Sequence, residues 1–390
     1  MMTRIRIVNM SAKPVKLLIV CLASIAIGAC SSSGGNLSDP TPLSGFEQQL
    51  ELVEHWSVSV GKGDDESSSV MQPVLSGGAI FAAAGQQLGS FNIDTGDVNW
   101  TTDLAESITA GVGHINEQLF VVTLSGKLVA VSSVDGSLLW QVNASSEALA
   151  APQANSEIVV VQTVDGKVSA YAISDGKFQW SYAANLPSLT LRGTSTPLVN
   201  ESYTYAGFAS GKLVALDNQV GNLVWQQSIS AAEGRSEIER LADVDGTLTL
   251  VDNLLYVTSY QGSIAAIDAL TGTVRWQQPV SSISGTALIG GAILVVDAQD
   301  TVLAYDRELG HVLWQSDALK HRTLAAPMGL AGNALVIDAQ GYVHVLQLSD
   351  GEFLGRQKMA LKGARIGSKS YQDNIFLLSL DGRLTRLGLK

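Results

Sequence analysis

Short apolar runs, paired across small polar turns, recur along almost the whole chain. Typical copies are QLFVVTLSGKLVAV at 118–131, EIVVVQTVDGKVSAY at 157–171 and NIFLLSLDGRLTRL at 374–387. Two apolar runs that flank a turn containing glycine are typical of β-hairpins, because glycine accepts the positive φ that tight hairpin turns require. The pattern therefore predicts a series of antiparallel hairpins.

Every tryptophan of the chain falls into one register with these hairpins. The seven are Trp56, Trp100, Trp140, Trp180, Trp225, Trp276 and Trp314, and a matching segment has Gly355 at the corresponding place. A period of about 40 to 50 residues indicates stacked supersecondary units. Each unit holds a hairpin, a second turn such as Asp135-Gly136, a strand with the tryptophan and a less regular first strand. Four strands per unit predict a propeller blade.

The count of hairpin turns sets the number of blades at eight. The turns recur near residues 87, 126, 166, 211, 262, 300, 341 and 382. The chain also has a lone strand near Val53–Val60 at its start and stops after a hairpin, at Lys390. We therefore predict an all-β fold, an eight-bladed β-propeller of four-stranded antiparallel blades over residues 51–390. The N-terminal strand completes the last blade, and closure leaves no unpaired inner edge.

The first thirty residues predict export and a lipid anchor. Four basic residues precede an apolar run over 17–29 that is too short to span a bilayer but suits a signal peptide. The sequence Ile27-Gly28-Ala29-Cys30 resembles the lipobox of bacterial lipoproteins. We expect a signal peptide at 1–29, lipidation at Cys30 and a flexible tether at 30–50, rich in Ser, Gly and Pro. The alternative is a buried cysteine after a cleaved secretory signal.

Charge and cysteine content narrow the partners and the chemistry. Removing the four basic and no acidic residues of 1–29 changes the formal net charge from −12 to −16. Such a surface repels phosphates, so we expect no nucleic-acid partner. The other cysteine, Cys21, lies in the removed segment, which leaves no thiol for disulfides or redox work.

The repeats resemble the PQQ-like repeats of quinoprotein dehydrogenases. With the lipobox, the chain is similar to the propeller lipoproteins of the outer-membrane β-barrel assembly machinery. This resemblance implies that the tryptophans dock between blades and that the protein is a non-catalytic scaffold at the outer membrane. In such lipoproteins an aspartate directly after the cysteine is associated with retention at the inner membrane. This chain has Ser31 there, which favours the periplasmic face of the outer membrane.

The residues of a quinone enzyme are missing from the pattern. Such a dehydrogenase needs a calcium site and an aspartate base, and often has a cysteine pair and an aromatic floor. The mature chain has no cysteine pair, and its tryptophans all belong to the repeat register. Asp243-Val244-Asp245-Gly246 resembles the start of a calcium loop, but the twelfth position is Leu254. We predict no catalytic residue, cofactor or metal, and expect all five histidines at the surface or in turns. The alternative function is a PQQ-dependent dehydrogenase with degraded motifs.

Two overlong loops interrupt the repeat. The intervals after Trp180 and Trp225 are 45 and 51 residues, and the excess lies in 185–193 and 230–245. A short helix capped by Ser236 is predicted in the second. Loops that join an outer strand to the next blade emerge on one face, so the two should be neighbours. The leucines and carboxylates in these loops form a binding patch for another protein. Alternatively, the leucines fold inward under the loop and the aspartates make turns, and the residues alone favour neither alternative.

The resemblance implies a partner for these loops. The Leu-x-Leu-Arg and Asp-x-Asp segments match the family's surface for the periplasmic POTRA region of BamA. Carried over, this implicates the residues Leu189, Leu191, Arg192, Asp243 and Asp245. Blade edges could also receive extended strands of unfolded outer-membrane proteins by β-augmentation.

Overall fold

Eight four-stranded antiparallel sheets form the computed structural model, which describes residues 39–63, 71–187, 189–190, 195–230, 241–244, 246–361 and 367–390. Blades 1 to 4 contain β2 (Val74–Ser76), β3 (Ala79–Ala84), β4 (Gln87–Asn92), β5 (Val98–Asp103), β6 (Ile108–Ile115), β7 (Gln118–Thr123), β8 (Lys127–Ser132), β9 (Leu138–Asn143), β10 (Gln153–Ala154), β11 (Ile158–Gln162), β12 (Lys167–Ala172), β13 (Phe178–Ala183), β14 (Leu198–Val199), β15 (Tyr203–Gly207), β16 (Lys212–Asp217) and β17 (Leu223–Ser228).

The second half of the ring repeats this order. Blades 5 to 7 contain β18 (Thr249–Val251), β19 (Leu254–Thr258), β20 (Gly262–Asp268), β21 (Val274–Val280), β22 (Thr286–Ile289), β23 (Ala292–Val296), β24 (Val302–Asp306), β25 (Val312–Ser316), β26 (Met328–Leu330), β27 (Asn333–Ile337), β28 (Tyr342–Leu346) and β29 (Phe353–Lys358). Blade 8 contains β30 (Gly367–Tyr371), β31 (Asn374–Leu378), β32 (Arg383–Leu389) and, from the start of the chain, β1 (Leu52–Ser59). The predicted eight-bladed propeller is confirmed.

The N-terminal strand closes the ring as predicted. In blade 8, β1 pairs antiparallel with β32, from Leu52 opposite Leu389 to Ser59 opposite Arg383. The Lys390 N–H donates to the Glu51 carbonyl at 2.9 Å. The first strand and the C-terminal residue therefore meet at the outer edge of one blade, and no inner strand of that blade is left without its neighbour.

The apolar core lies between the blades. The described residues form eight buried clusters, and each joins the facing sides of two neighbouring blades. In one of them Phe81 and Leu88 of blade 1 meet Leu119 and Val129 of blade 2. The two middle strands of each blade are buried on both faces, which explains why they read as continuous apolar runs in the sequence.

Candidate functional site

Each tryptophan joins its blade to the next one. The Trp140 ring lies where a Cβ on Gly176 would be 2.6 Å from it, and its Nε1 donates to the Ile173 carbonyl at 3.0 Å. Gly176 has a φ of 72°, a left-handed conformation that favours glycine. The same contact repeats for the other six tryptophans with Gly96, Gly136, Gly221, Gly272, Gly310 and Gly351. The tryptophans are therefore structural.

The described residues do not fit a quinone with its calcium ion. Among them, no group of three or more His, Cys, Asp or Glu side chains converges into a metal site. The tryptophan rings, which would be the natural platform for a flat cofactor, are each packed on a glycine of the neighbouring blade.

Both faces of the propeller carry exposed apolar side chains, and the two overlong loops lie on one of these faces. Strand direction alternates within a blade, so the turns between second and third strands lie on the same face as the loops leading to the next blade. We call this the loop face and the opposite one the turn face. Among the residues that the structure describes, four exposed large apolar side chains lie on the loop face, and they are Leu124, Leu186, Leu189 and Ile283.

Leu186 and Leu189 follow β13 in the loop from blade 3 to blade 4. Leu186 is 37% exposed and lies against Gly166 of the β11–β12 turn, while Leu189 is 41% exposed. Of the two alternatives left open for the leucines, Leu189 is exposed rather than turned inward. Two exposed leucines three residues apart, of which Leu186 lies against a turn, offer apolar area that a partner can cover.

Asp243 is fully buried. Its carbonyl accepts the Tyr260 N–H at 2.8 Å, and the next N–H, of Val244, donates to the Phe208 carbonyl at 3.2 Å. Residues 241–244 therefore lie between the hairpin ends of blades 4 and 5. Asp243 contributes to the position of this loop, and the alternative in which the aspartates turn inward holds for this residue.

Several predictions fall outside the described residues. These are the lipidation site Cys30, the loop residues Leu191, Arg192 and Asp245, and the short helix predicted around Ser236. They stay predictions.

The prediction that all histidines lie at the surface or in turns is wrong for His344. This residue of β28 is fully buried. Its Nε2 lies 3.1 Å from Oδ2 of Asp338, which is also fully buried, and its Nδ1 accepts the Nε–H of Arg356 at 3.1 Å. Because the arginine only donates, Nδ1 carries no proton, and the neutral Nε2–H form of His344 donates to Asp338.

The electrostatics of this pair follow from burial and hydrogen bonding. Burial lowers the pKa of His344 below its ordinary value, and this outweighs the opposing effect of Asp338. Burial raises the pKa of Asp338, but hydrogen bonds from His344, the Tyr342 N–H and Arg322 outweigh it and lower the pKa. Arg356 was the signal in the sequence that could have revealed this site. It is charged, whereas the residue after the tryptophan is uncharged in the other blades, as in Gln141.

A cleft of about 460 Å³ lies where blade 8 meets blade 1. Its walls include Lys369, Tyr371 and Arg386 of blade 8 and Asp94 of blade 1. Arg386 Nη1 donates to the Asp94 carboxylate at 3.0 Å and to the Ile93 carbonyl at 3.0 Å. The guanidinium is thus occupied in holding the two blades together, and the cleft belongs to the closure of the ring.

None of the described residues lies in a helix long and apolar enough to cross a membrane.

Comparisons with known proteins agree with one family. A family model described as outer membrane protein assembly factor BamB matches residues 84–316. The chain is 40% identical to outer membrane protein assembly factor BamB of Pseudomonas aeruginosa, over 88% of this chain and 90% of that protein. It is 34% identical to the BamB of Escherichia coli, over 94% and 97% of the two chains.

Solved structures support the same assignment. The crystal structure of BamB from Moraxella catarrhalis is similar with a TM-score of 0.79 and 28% identity, covering 87% of this chain and 100% of that one. Quinohemoprotein alcohol dehydrogenase from Comamonas testosteroni has a TM-score of 0.68 at 13% identity, over 86% and 76%. The second likeness is one of fold alone.

Fold and repeat define a β-propeller of the PQQ-like repeat class. Within that class, the chain belongs to the BamB family of outer membrane protein assembly factors. This membership makes the protein a non-catalytic one, and it gives no support to the alternative of a degraded dehydrogenase.

Proposed function

We propose that this protein is a scaffold subunit of the outer-membrane protein assembly machinery and that its loop face binds the periplasmic POTRA region of BamA. The observation that carries the proposal is the pair of exposed leucines, Leu186 and Leu189, in the loop between blades 3 and 4. These leucines lie in one of the two loops where the repeat is interrupted, and neighbouring exposed apolar side chains offer area that a partner can cover.

The binding residues proposed are Leu189, Leu191 and Arg192 from the first overlong loop and Asp245 from the second. The leucines supply area that loses water on binding, and the charges set the register of the partner. Asp243, being buried, acts by positioning the second loop. By binding BamA at the membrane, the scaffold assists the folding and insertion of β-barrel proteins.

We further propose that Cys30 is lipidated and that it anchors the protein to the periplasmic face of the outer membrane. The lipobox-like sequence before Cys30 and the family's place at the outer membrane support this. A mass spectrum of the mature N-terminal peptide tests it, because the first residue should be Cys30 with its acyl chains.

Replacing Leu189 by aspartate tests the binding surface. In the full lipoprotein, Leu189→Asp should reduce co-purification with BamA by about tenfold or more, the size of effect that one buried contact residue gives. Leu309→Asp is the matched control, because Leu309 is also an exposed leucine, at 63%, but lies in the β24–β25 turn on the turn face.

Unfolding curves of both variants check that neither change disturbs the fold. Equal recovery of BamA with Leu189→Asp and with Leu309→Asp would contradict the proposed surface. Arg192→Glu, tested beside Lys177→Glu on the outer part of blade 3, examines the charged part of the surface in the same way.

A further inference from the structure

Ten residues before the first strand lie along the outer edge of blade 7. We call residues 41–50 the docked segment. The Thr41 N–H donates to the Lys320 carbonyl at 3.0 Å, and the N–H groups of Gln49 and Leu50 both donate to the Leu354 carbonyl at 2.8 Å. Leu43 and Leu50 also pack against the apolar clusters that blade 7 forms with its neighbours. The segment is thus attached at both its ends.

Two arginines of blade 7 bind carbonyl groups in the first half of this segment. Arg322 Nη1 donates to the Thr41 carbonyl at 2.9 Å, and Arg356 Nη1 donates to the Ser44 carbonyl at 2.8 Å. The Arg356 guanidinium lies 4.9 Å from the ring centres of both Phe46 and Phe353. These two rings stack at 5.4 Å. We call Arg322, Arg356 and Phe353 the arginine clamp.

The arginine clamp is fixed from beneath by the buried Asp338–His344 pair. Arg322 Nε donates to Asp338 Oδ2 at 2.7 Å, and Arg356 Nε donates to His344 Nδ1 at 3.1 Å. Each guanidinium therefore has one edge bound inside the blade and the other directed at the docked segment. Side chains held in this way lose little further entropy on binding, so the site is preorganised.

Blade 7 departs from the repeat at the positions that meet the docked segment. Gly355 takes the place of the tryptophan, and a Cβ there would be 2.6 Å from the Leu50 carbonyl. At the repeat position of Arg356, four other blades have a glutamine, and these are Gln141, Gln226, Gln277 and Gln315. Departures that all serve one contact indicate a site built for this segment.

We propose that the arginine clamp determines where the membrane linker leaves the propeller, and so turns blade 7 toward the membrane. This inference rests on the lipidation of Cys30 proposed above. Only the ten residues 31–40 then separate the anchor from the docked segment, a reach of roughly 35 Å, against roughly 70 Å if all twenty residues to Leu50 were free. In a ring of eight, blade 3 lies opposite blade 7, so the leucines of the loop face are held on the side away from the anchor.

Two equivalent turns in opposite blades allow this orientation to be measured. Ser174 and Ser349 are both exposed and both begin a Ser-Asp-Gly turn, in blades 3 and 7. Ser174→Cys and Ser349→Cys introduce the sole free thiol, since Cys21 is removed and Cys30 is acylated. With a donor dye on either thiol and acceptor-labelled headgroups in proteoliposomes, energy transfer from position 349 should clearly exceed that from 174.

Releasing the docked segment should remove this difference. Phe46→Ser takes away the ring under Arg356, while Gln48→Ser changes an exposed residue of the same segment and serves as the control. We expect amide exchange over 42–50 to rise at least tenfold in Phe46→Ser only. The difference in transfer between 349 and 174 should shrink in that variant and persist in Gln48→Ser. The unfolding midpoint is measured in both variants to confirm that the propeller remains folded.

Four results would overturn the inference. Equal transfer from both positions in the wild-type background would show no preferred orientation. Unchanged exchange in Phe46→Ser would show that the arginine clamp does not hold the segment, and an undiminished difference in transfer despite raised exchange would show that it does not orient the ring. A Cys30 peptide without acyl chains also ends the proposal, but recovery of BamA by the same protein would still leave the binding surface standing.

Discussion

The contact between a tryptophan ring and a glycine of the next blade is the smallest repeated unit of this molecule. Gly176→Ala should lower the free energy of unfolding for two reasons. The positive φ costs about 1–2 kcal/mol for any residue with a Cβ, and the new methyl meets the Trp140 ring at 2.6 Å. Overpacking of this kind adds about 1–3 kcal/mol.

Gly78→Ala separates these two costs. Gly78 has a φ of 79° in the β2–β3 turn, but a Cβ there has nothing within 4 Å. Urea unfolding curves should therefore show a smaller loss for Gly78→Ala than for Gly176→Ala. Equal losses would mean that the tryptophan ring moves aside without cost, and that the contact between blades is looser than the distances indicate.

The buried His344 predicts a dependence of stability on pH. Its pKa in the folded chain is below the ordinary value of 6.5, so below pH 6.5 the unfolded chain binds a proton that the folded chain does not. The stability contributed by neutral His344 is complete above that pH and is lost as the pH falls toward the folded pKa. Protonation of Nδ1 would also remove the acceptor of Arg356.

His344→Gln tests this expectation, because glutamine both donates and accepts but does not titrate here. The free energy of unfolding should fall less steeply with acidification below pH 6.5 in this variant than in the wild type. His114, whose pKa is also lowered by burial, contributes its own slope, and His114→Gln should leave the part due to His344 in place. An identical slope in His344→Gln and wild type would contradict the assignment.

Elements were predictable where one physical requirement repeats. Glycine at the hairpin turns and tryptophan at the blade contacts answer the same local need in every blade, so their spacing specified the strands, the blade count and the closure by β1. Asp243 was not predictable in this way, because its burial depends on the hairpin ends of two blades meeting around it. The docked segment likewise depends on contacts between parts of the chain about 300 residues apart. His344 has partners only 6 and 12 residues away, but its burial depends on Asp338 and Arg356 being brought around it by the blade.

Blade 7 has Gly355 at the position of the repeated tryptophan, and the cause lies in how the blades are joined. Seven blades place a tryptophan against a glycine in a turn of the next blade. Blade 7 is followed by blade 8, where the first strand and the C-terminal strand are not joined by such a turn, and Leu50 fills the space. Gly355→Ala should therefore cost about 1–3 kcal/mol through its clash with the Leu50 carbonyl. Thermal unfolding measures the change.

Gly329→Ala in β26 of the same blade is the control. A Cβ there makes ordinary contacts of 3.4 Å or more with Ile289, so alanine should be neutral or stabilise by up to about 1 kcal/mol. If Gly355→Ala is as harmless as Gly329→Ala, then Leu50 is not the group that excludes a side chain from this position.

The ring as a whole should open first where its two ends meet. Blade 8 takes its outer strand from residues more than 320 positions away, so no short connection holds β1 beside β32, and the closure has the largest entropic cost of any pairing. Arg386 offsets part of this cost. It lies opposite Trp56, where the other tryptophans face a Ser or Ala, and it donates to Ile93 and Asp94 of blade 1.

Arg386→Ala should lower the free energy of unfolding by about 1–3 kcal/mol, because its side chain is only 17% exposed and its loss removes hydrogen bonds to Asn374, Ile93 and Asp94. Amide exchange should accelerate in β1 and β2 and stay unchanged in β9 and β13, which close no ring. Arg275→Ala, at an arginine 58% exposed with one ion pair to Asp268, should cost less than about 1 kcal/mol. Uniform acceleration around the ring would instead mean that all eight blades separate together and that the place of closure has no special weakness.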